Sequence, residues 1–245
     1  SRNANNRPLK PSHVKHLAAV ITRGEWVENG EAIMFDERGN LINGQHRCHA
    51  VIAAGVPITS LVIRGLSDSA FQTLDQGSKR TAGDVLGVIG EKNCNNLAAS
   101  AKVFLSIARC YTIEGKGIHR MPSVSATLVV NTINDNPAIR EMTNAVANKK
   151  HLKNFGVSKI AGVLAYAATY GEYAHMANQF IDDLASGANL PNNSPVLLLR
   201  DRLTLSRQSP TELVSVIIKA WNAYAQGKPI GVLRYKASES FPVIR

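Results

Sequence analysis

The chain is poor in cysteine, in aromatic side chains and in acid. Three cysteines in 245 residues, Cys48, Cys94 and Cys110, are too few and too scattered for a disulfide framework. Such usage fits a reducing compartment, so a cytoplasmic location is expected. No Cys-x-x-Cys pair or Cys/His cluster has zinc spacing, and His46, Cys48 and His49 are too close in sequence to converge on one ion. No apolar run approaches the ~18 residues of a membrane span, so no membrane partner is expected. The opening SRNANNRPLK lacks the apolar stretch of a secretory signal, and none is expected. Acidic residues number 18 against 28 lysines and arginines, a net charge of +10. That imbalance makes a polyanion the expected class of partner.

What is present is enough to fold. The composition is 44% hydrophobic and 19% charged, which excludes a disordered tail. The excess charge is unevenly placed. Residues 1–91 are nearly neutral at +1, residues 92–159 carry +7, and residues 160–245 carry +2. Within the middle segment Lys102, Arg109, Lys116, Arg120, Lys149, Lys150 and Lys153 are the candidate nucleic-acid contacts. Arg140 and Lys159 add to the same excess. A scattered, solvated basic surface accounts for the same residues equally simply.

Periodicity divides the chain into two lobes. Pro11 and Ser12 open a helix whose Val14, Leu17, Ala18, Val20 and Ile21 recur at helical spacing. Ala32–Phe35 reads as a strand, Asp36–Asn40 as a hairpin turn and Leu41-Ile42 as the return strand. A helix through Ala54 follows, stopped by Gly55, and Ile58–Ile63 reads as a further strand. From Ser67 on the pattern is helical: a short helix to Leu74, another over Thr81–Ile89, then 94–111, 123–134, 137–149, 158–170 and 172–186. Ser194-Pro195 and Ser209-Pro210 each place a cap before a proline at the first helical position. The expected class is α+β, a small α/β lobe over 1–75 followed by an all-helical lobe over 76–245. Val103, Phe104, Ile107, Leu197, Leu198, Val214, Ile217 and Ile218 are expected in the core, with Trp221 and Tyr224 there or at a lobe interface. The isolated histidines, His13, His16, His119, His151 and His175, read as surface or hydrogen-bonded groups. Asp182-Asp183 reads as a solvated helix face.

One segment suggests chemistry. Leu41-Ile42-Asn43-Gly44-Gln45-His46-Arg47 is a strand, a glycine turn and a helix start. The first N–H groups of a helix lack intrahelical partners and carry partial positive charge, which suits a phosphate. Gly44 would let the backbone approach it. Arg47 would grip it with two N–H groups and His46 would donate or exchange a proton. On spacing alone, the same residues also read as a tight turn and a surface arginine.

The order of these pieces resembles the ParB/sulfiredoxin-like superfamily over roughly residues 5–75. An early Asn6-Arg7-Pro8-Leu9, the helix Val14–Ile21, the hairpin and the Ile42–Arg47 box follow one another as in that family's N-terminal domain. The resemblance implies a nucleotide pocket, taking ATP or CTP with Mg²⁺, at the start of the Gly44–Ala54 helix. Asn6, Arg7, Asn43, Gly44, Gln45, His46 and Arg47 would line it. It also implies a phage or plasmid setting, association with DNA or other nucleic acid, and room for a homodimer. The family spans NTP hydrolysis, phosphotransfer and reported nucleases, so fold does not fix activity. Gln45 stands where sulfiredoxins place a reactive cysteine, which argues against sulfinic-acid repair. The partitioning proteins' Glu-Asn phosphate motif has no clean copy, Glu91-Lys92-Asn93 being the nearest string.

A second candidate is Asp75-Gln76-Gly77-Ser78-Lys79-Arg80-Thr81. It resembles an element of phage and actinobacterial relatives. Lys79 and Arg80 would reach phosphate, and His46, Arg47 and Asp75 are the expected catalytic set. An exposed basic turn is the plainer reading. The leading expectation is a ParB-like nucleotide-binding protein, NTP-hydrolysing or not, associated with nucleic acid. The alternatives are a sulfiredoxin- or serine-kinase-like phosphotransferase, a metal-dependent nuclease short of paired carboxylates, and a non-catalytic module. Ser158–Tyr173, with a turn at Ala161-Gly162, is a weak helix–turn–helix candidate.

Overall fold

A computed structural model describes residues 8–67, 80–112, 124–204, 208–236 and 238–245. The fold is mixed α+β and mostly helical. The chain forms two compact units, Ser1–Lys79 and Arg80–Arg245. The expected divide at 75/76 falls in 68–79, outside the described residues, as do the short helix after Ser67 and the 75–79 part of the second candidate.

The first unit runs α1 (Pro11–Thr22), β1 (Ile33–Asp36), β2 (Leu41–Asn43), α2 (Gln45–Ala54) and β3 (Val62–Leu66). The sheet order is β2-β1-β3, with β1 antiparallel to β2 and parallel to β3. Asp36 fastens the hairpin. Its carboxylate accepts from the Asn40 backbone N–H at 2.7 Å and from the Asn40 side chain at 2.8 Å. The third strand begins four residues later than Ile58. The Trp26 indole donates to the Thr59 carbonyl at 3.2 Å, which ties that stretch to the 26–28 loop. Only from Val62 does the chain pair with Ile33.

The second unit contains α3 (Ala82–Val88), α4 (Cys94–Thr112), α5 (Ala126–Asp135), α6 (Ala138–Asn148), α7 (Val157–Tyr170), α8 (Ala177–Ser186), α9 (Pro195–Thr204) and α10 (Pro210–Ala225). Short 3₁₀ turns at Lys150–Phe155 and Ala174–Met176 precede α7 and α8. The expected helix from 172 is therefore broken before Ala177. Capping follows the sequence: Ser209 Oγ accepts from Glu212 N–H, and Thr81 and Asp84 form a reciprocal capping box on α3.

The centre of this unit is α7. Val157, Ile160, Ala161, Val163, Leu164, Ala165 and Ala167 are all buried, so between Ile160 and Ala167 the helix is enclosed on nearly every side, and its polar residues fall at its two ends. The helix expected over 158–170 forms as α7 and is continuous across Ala161-Gly162, so the weak helix–turn–helix candidate there has no turn. Gly162 serves a close helix crossing: a Cβ there would stand 2.6 Å from Val103 Cβ and 2.8 Å from the Ser100 carbonyl on α4. Phe104, Ile107, Val214, Ile217, Ile218 and Trp221 are buried, and Val103 and Leu198 pack against that core. Leu197 is half-buried. Among the described residues of 230–245 no strand forms, and Leu233, Phe241 and Ile244 lie on the core.

Candidate functional site

The strand, turn and helix around Gly44 form as expected, but the box faces inward. Gln45, His46 and Arg47 keep only 5%, 6% and 8% of their surface exposed. Gly44 is the N-cap of α2 with φ 96°, a left-handed conformation that disfavours any other residue. A Cβ at Gly44 would also press on Ile33, 3.1 Å from Cγ1 and 3.2 Å from Cα. The glycine therefore admits β1 as well as the turn.

Arg47 uses its guanidinium as a staple. One Nη donates to the Glu31 carbonyl and the other to the Ala32 carbonyl at 2.9 Å, with the Glu31 carboxylate 3.9 Å away. These acceptors lie immediately before β1, so Arg47 locks the start of the strand to α2. The His46 ring caps a different element. Its Nε2 accepts from the Lys10 backbone N–H at 3.0 Å, so that nitrogen carries no proton and α1 gains a cap its own sequence lacks. His13 packs edge-on against His46 at 5.1 Å between ring centroids and stacks on His16 at 6.4 Å. Among the described residues no group of three His, Cys, Asp or Glu side chains is arranged to hold a metal ion.

As arranged, the box does not present a triphosphate grip. Arg47 would first have to release two backbone carbonyls, and His46 would have to release Lys10. Asn43 ends β2, and Arg80 is exposed just before α3. Asn6, Arg7, Asp75 and Lys79 lie outside the described residues. The half-buried Cys48 thiol is pushed up by burial, an effect the neighbouring Arg47 charge opposes without cancelling.

The basic segment resolves into parts with different duties. Arg140 is taken up structurally: it bonds the Glu91 carboxylate at 2.7 Å, the Ile133 carbonyl at 2.9 Å and Asn134 Oδ1 at 2.6 Å. Lys102 and Arg109 lie seven residues apart on the exposed stripe of α4. Lys116 and Arg120 are outside the described residues. Lys149, Lys150, His151 and Lys153 lie on or beside the Lys150–Phe155 turn, and Lys159 follows on α7. Leu152 is fully buried and anchors that turn to the core. A 3₁₀ turn has three residues per repeat, so Lys150 and Lys153 stand in one line, about 6 Å apart along the axis. Both are exposed, and neither has an ion-pair partner among the described residues.

Lys149 pairs with Asp182 at 2.5 Å across to α8. The two aspartates of α8 have separate roles. Asp182 is exposed, whereas Asp183 is half-buried and accepts from the Tyr224 hydroxyl at 2.8 Å and from Gln179 at 2.9 Å. Sequence reasoning missed both this tie and the imidazole group around His46. His13 and His16 at helical spacing were the one local sign of the latter. Compared with family models, curated proteins and solved structures, the chain matches none.

Proposed function

We propose that the protein is a nucleic-acid-associated, ParB-like protein whose helical unit holds the phosphate backbone at residues 149–159. The observation that carries this reading is the lysine row of the 3₁₀ turn. Between Lys149 and Lys159 there are four lysines, one histidine and no carboxylate. Leu152 fixes the backbone beneath them, so presenting the cations costs little backbone entropy and only the side chains are left to order on binding. Gly156 caps α7 with no side chain, and the partial positive charge of that helix start adds to the same surface. Contacts of this kind position a backbone and read no sequence.

The resemblance adds a nucleotide, ATP or CTP with Mg²⁺. Within the Gly44–Arg47 box, main-chain N–H groups at the start of α2 would meet its phosphates, since the Arg47 and His46 side chains are already bonded. This part of the reading is separable, and titration of each nucleotide with Mg²⁺ against the full chain tests it on its own.

Fluorescence anisotropy with labelled oligonucleotides at low salt tests the main reading. Lys150→Ala combined with Lys153→Ala is expected to weaken binding about tenfold. A double variant that binds as tightly as the parent chain would place the contact elsewhere.

A further inference from the structure

Beside the lysine row lies an open groove of about 820 Å³ between the end of α6, the 3₁₀ turn and α8. We infer that this groove receives an unpaired base, with guanine preferred, from a single strand whose phosphates follow Lys150 and Lys153. The inference rests on the proposed nucleic-acid reading and names the form of nucleic acid that it takes.

The groove is polar on both walls. Lys149, Lys150 and His151 stand on one side, with Asp182, Gln179 and Asn189 facing them from α8 and the turn after it. Ala185 is buried and Leu190 half-buried, which supplies an apolar surface for a ring. A ligand that suits this lining carries anionic groups at one end and N–H donors at the other, which describes a nucleotide unit. The volume falls within the ~300–1,000 Å³ of small-molecule sites.

Asp182 selects among bases. Asp183 has already given one oxygen to Gln179 and the other to Tyr224. Asp182 meets Lys149 through Oδ1, and each carboxylate oxygen has two lone-pair sites. Guanine offers adjacent N1–H and N2–H donors, a fork that a carboxylate accepts with both oxygens. Thymine offers a single N–H between two carbonyls. In a duplex N1–H and one N2–H are paired with cytosine, which leaves a lone N2–H in the minor groove and no fork, so the two-point contact requires a single strand.

The test compares oligo(dT), the same strand carrying isolated guanines, and a duplex of equal length. The expected result is about fivefold tighter binding of the guanine-bearing strand. Asp182→Asn, an exposed position, is expected to erase that preference while leaving oligo(dT) affinity equal or higher. Equal affinity for both strands, or a preference that survives Asp182→Asn, would overturn the inference and leave the lysine row intact. If no nucleic acid of any form binds, the proposed function itself fails.

Discussion

At the residue scale, the side chains that looked most like ligands hold the first unit together. A unit of this size buries little apolar surface, and its buried apolar residues are few, Ile21, Ala32 and Ala50 among them. Buried polar staples supply part of the difference. Removing Arg47 would leave the Glu31 and Ala32 carbonyls without their charged donor. Arg47→Ala is therefore expected to destabilise the unit by about 2–3 kcal/mol in urea unfolding. Arg47→Lys is expected to recover little of this, because one ammonium cannot reproduce the planar fork. Asp36 gives a second residue-level test. Burial pushes its carboxyl up, but the Asn40 side-chain and backbone bonds, with Arg38, outweigh burial and hold it below the usual 3.8. Its folded pKa lies below its unfolded one, so the hairpin gains stability above about 3.8 and loses it as pH falls through the folded value. NMR titration should show the Asn40 amide shifting in that acid range, and Asp36→Asn should abolish the shift.

At the element scale, local signals were legible where they involve backbone rules. Gly44 and Gly55 bracket α2, Ser209-Pro210 opens α10, and the 3.6 period of Val14–Ile21 marks α1. Signals that depend on a distant partner were not legible. Nothing in Ile58–Leu61 says that Trp26 will claim the Thr59 carbonyl and delay β3. Nor does a glycine in mid-pattern say whether it bends a helix or lets another approach. Gly162 does the latter, and α7 runs unbroken past it. On propensity alone Gly162→Ala would gain about 1 kcal/mol. Against Val103 and the Ser100 carbonyl it is expected to lose about 1–3 kcal/mol net, as a lower melting temperature. A variant that melts higher would mean that α4 and α7 do not cross so closely.

At the scale of the whole molecule, the location of the charge mattered more than its sum. The +10 total suits a polyanion but points to no surface. The structure divides the basic segment into residues tied up in folding, such as Arg140, and residues that project from an anchored turn, such as Lys150 and Lys153. Sequence placed Lys150 and Lys153 in one candidate group with Lys102 and Arg109. Only the 3₁₀ geometry shows that the first two share a line. The candidate site was thus half legible: its residue types were plain, but their burial and pairing were not, because Arg47 meets backbone carbonyls and Asp183 meets a tyrosine 41 residues away. The central claim is that Lys150 and Lys153 each bind a phosphate. The most direct measurement is the slope of log affinity against log salt for one single-stranded oligonucleotide, with the parent chain and with Lys150→Ala/Lys153→Ala. The account predicts that the double variant's slope is shallower by about 1.4, because two phosphates are no longer neutralised by the protein. Parallel slopes would contradict it.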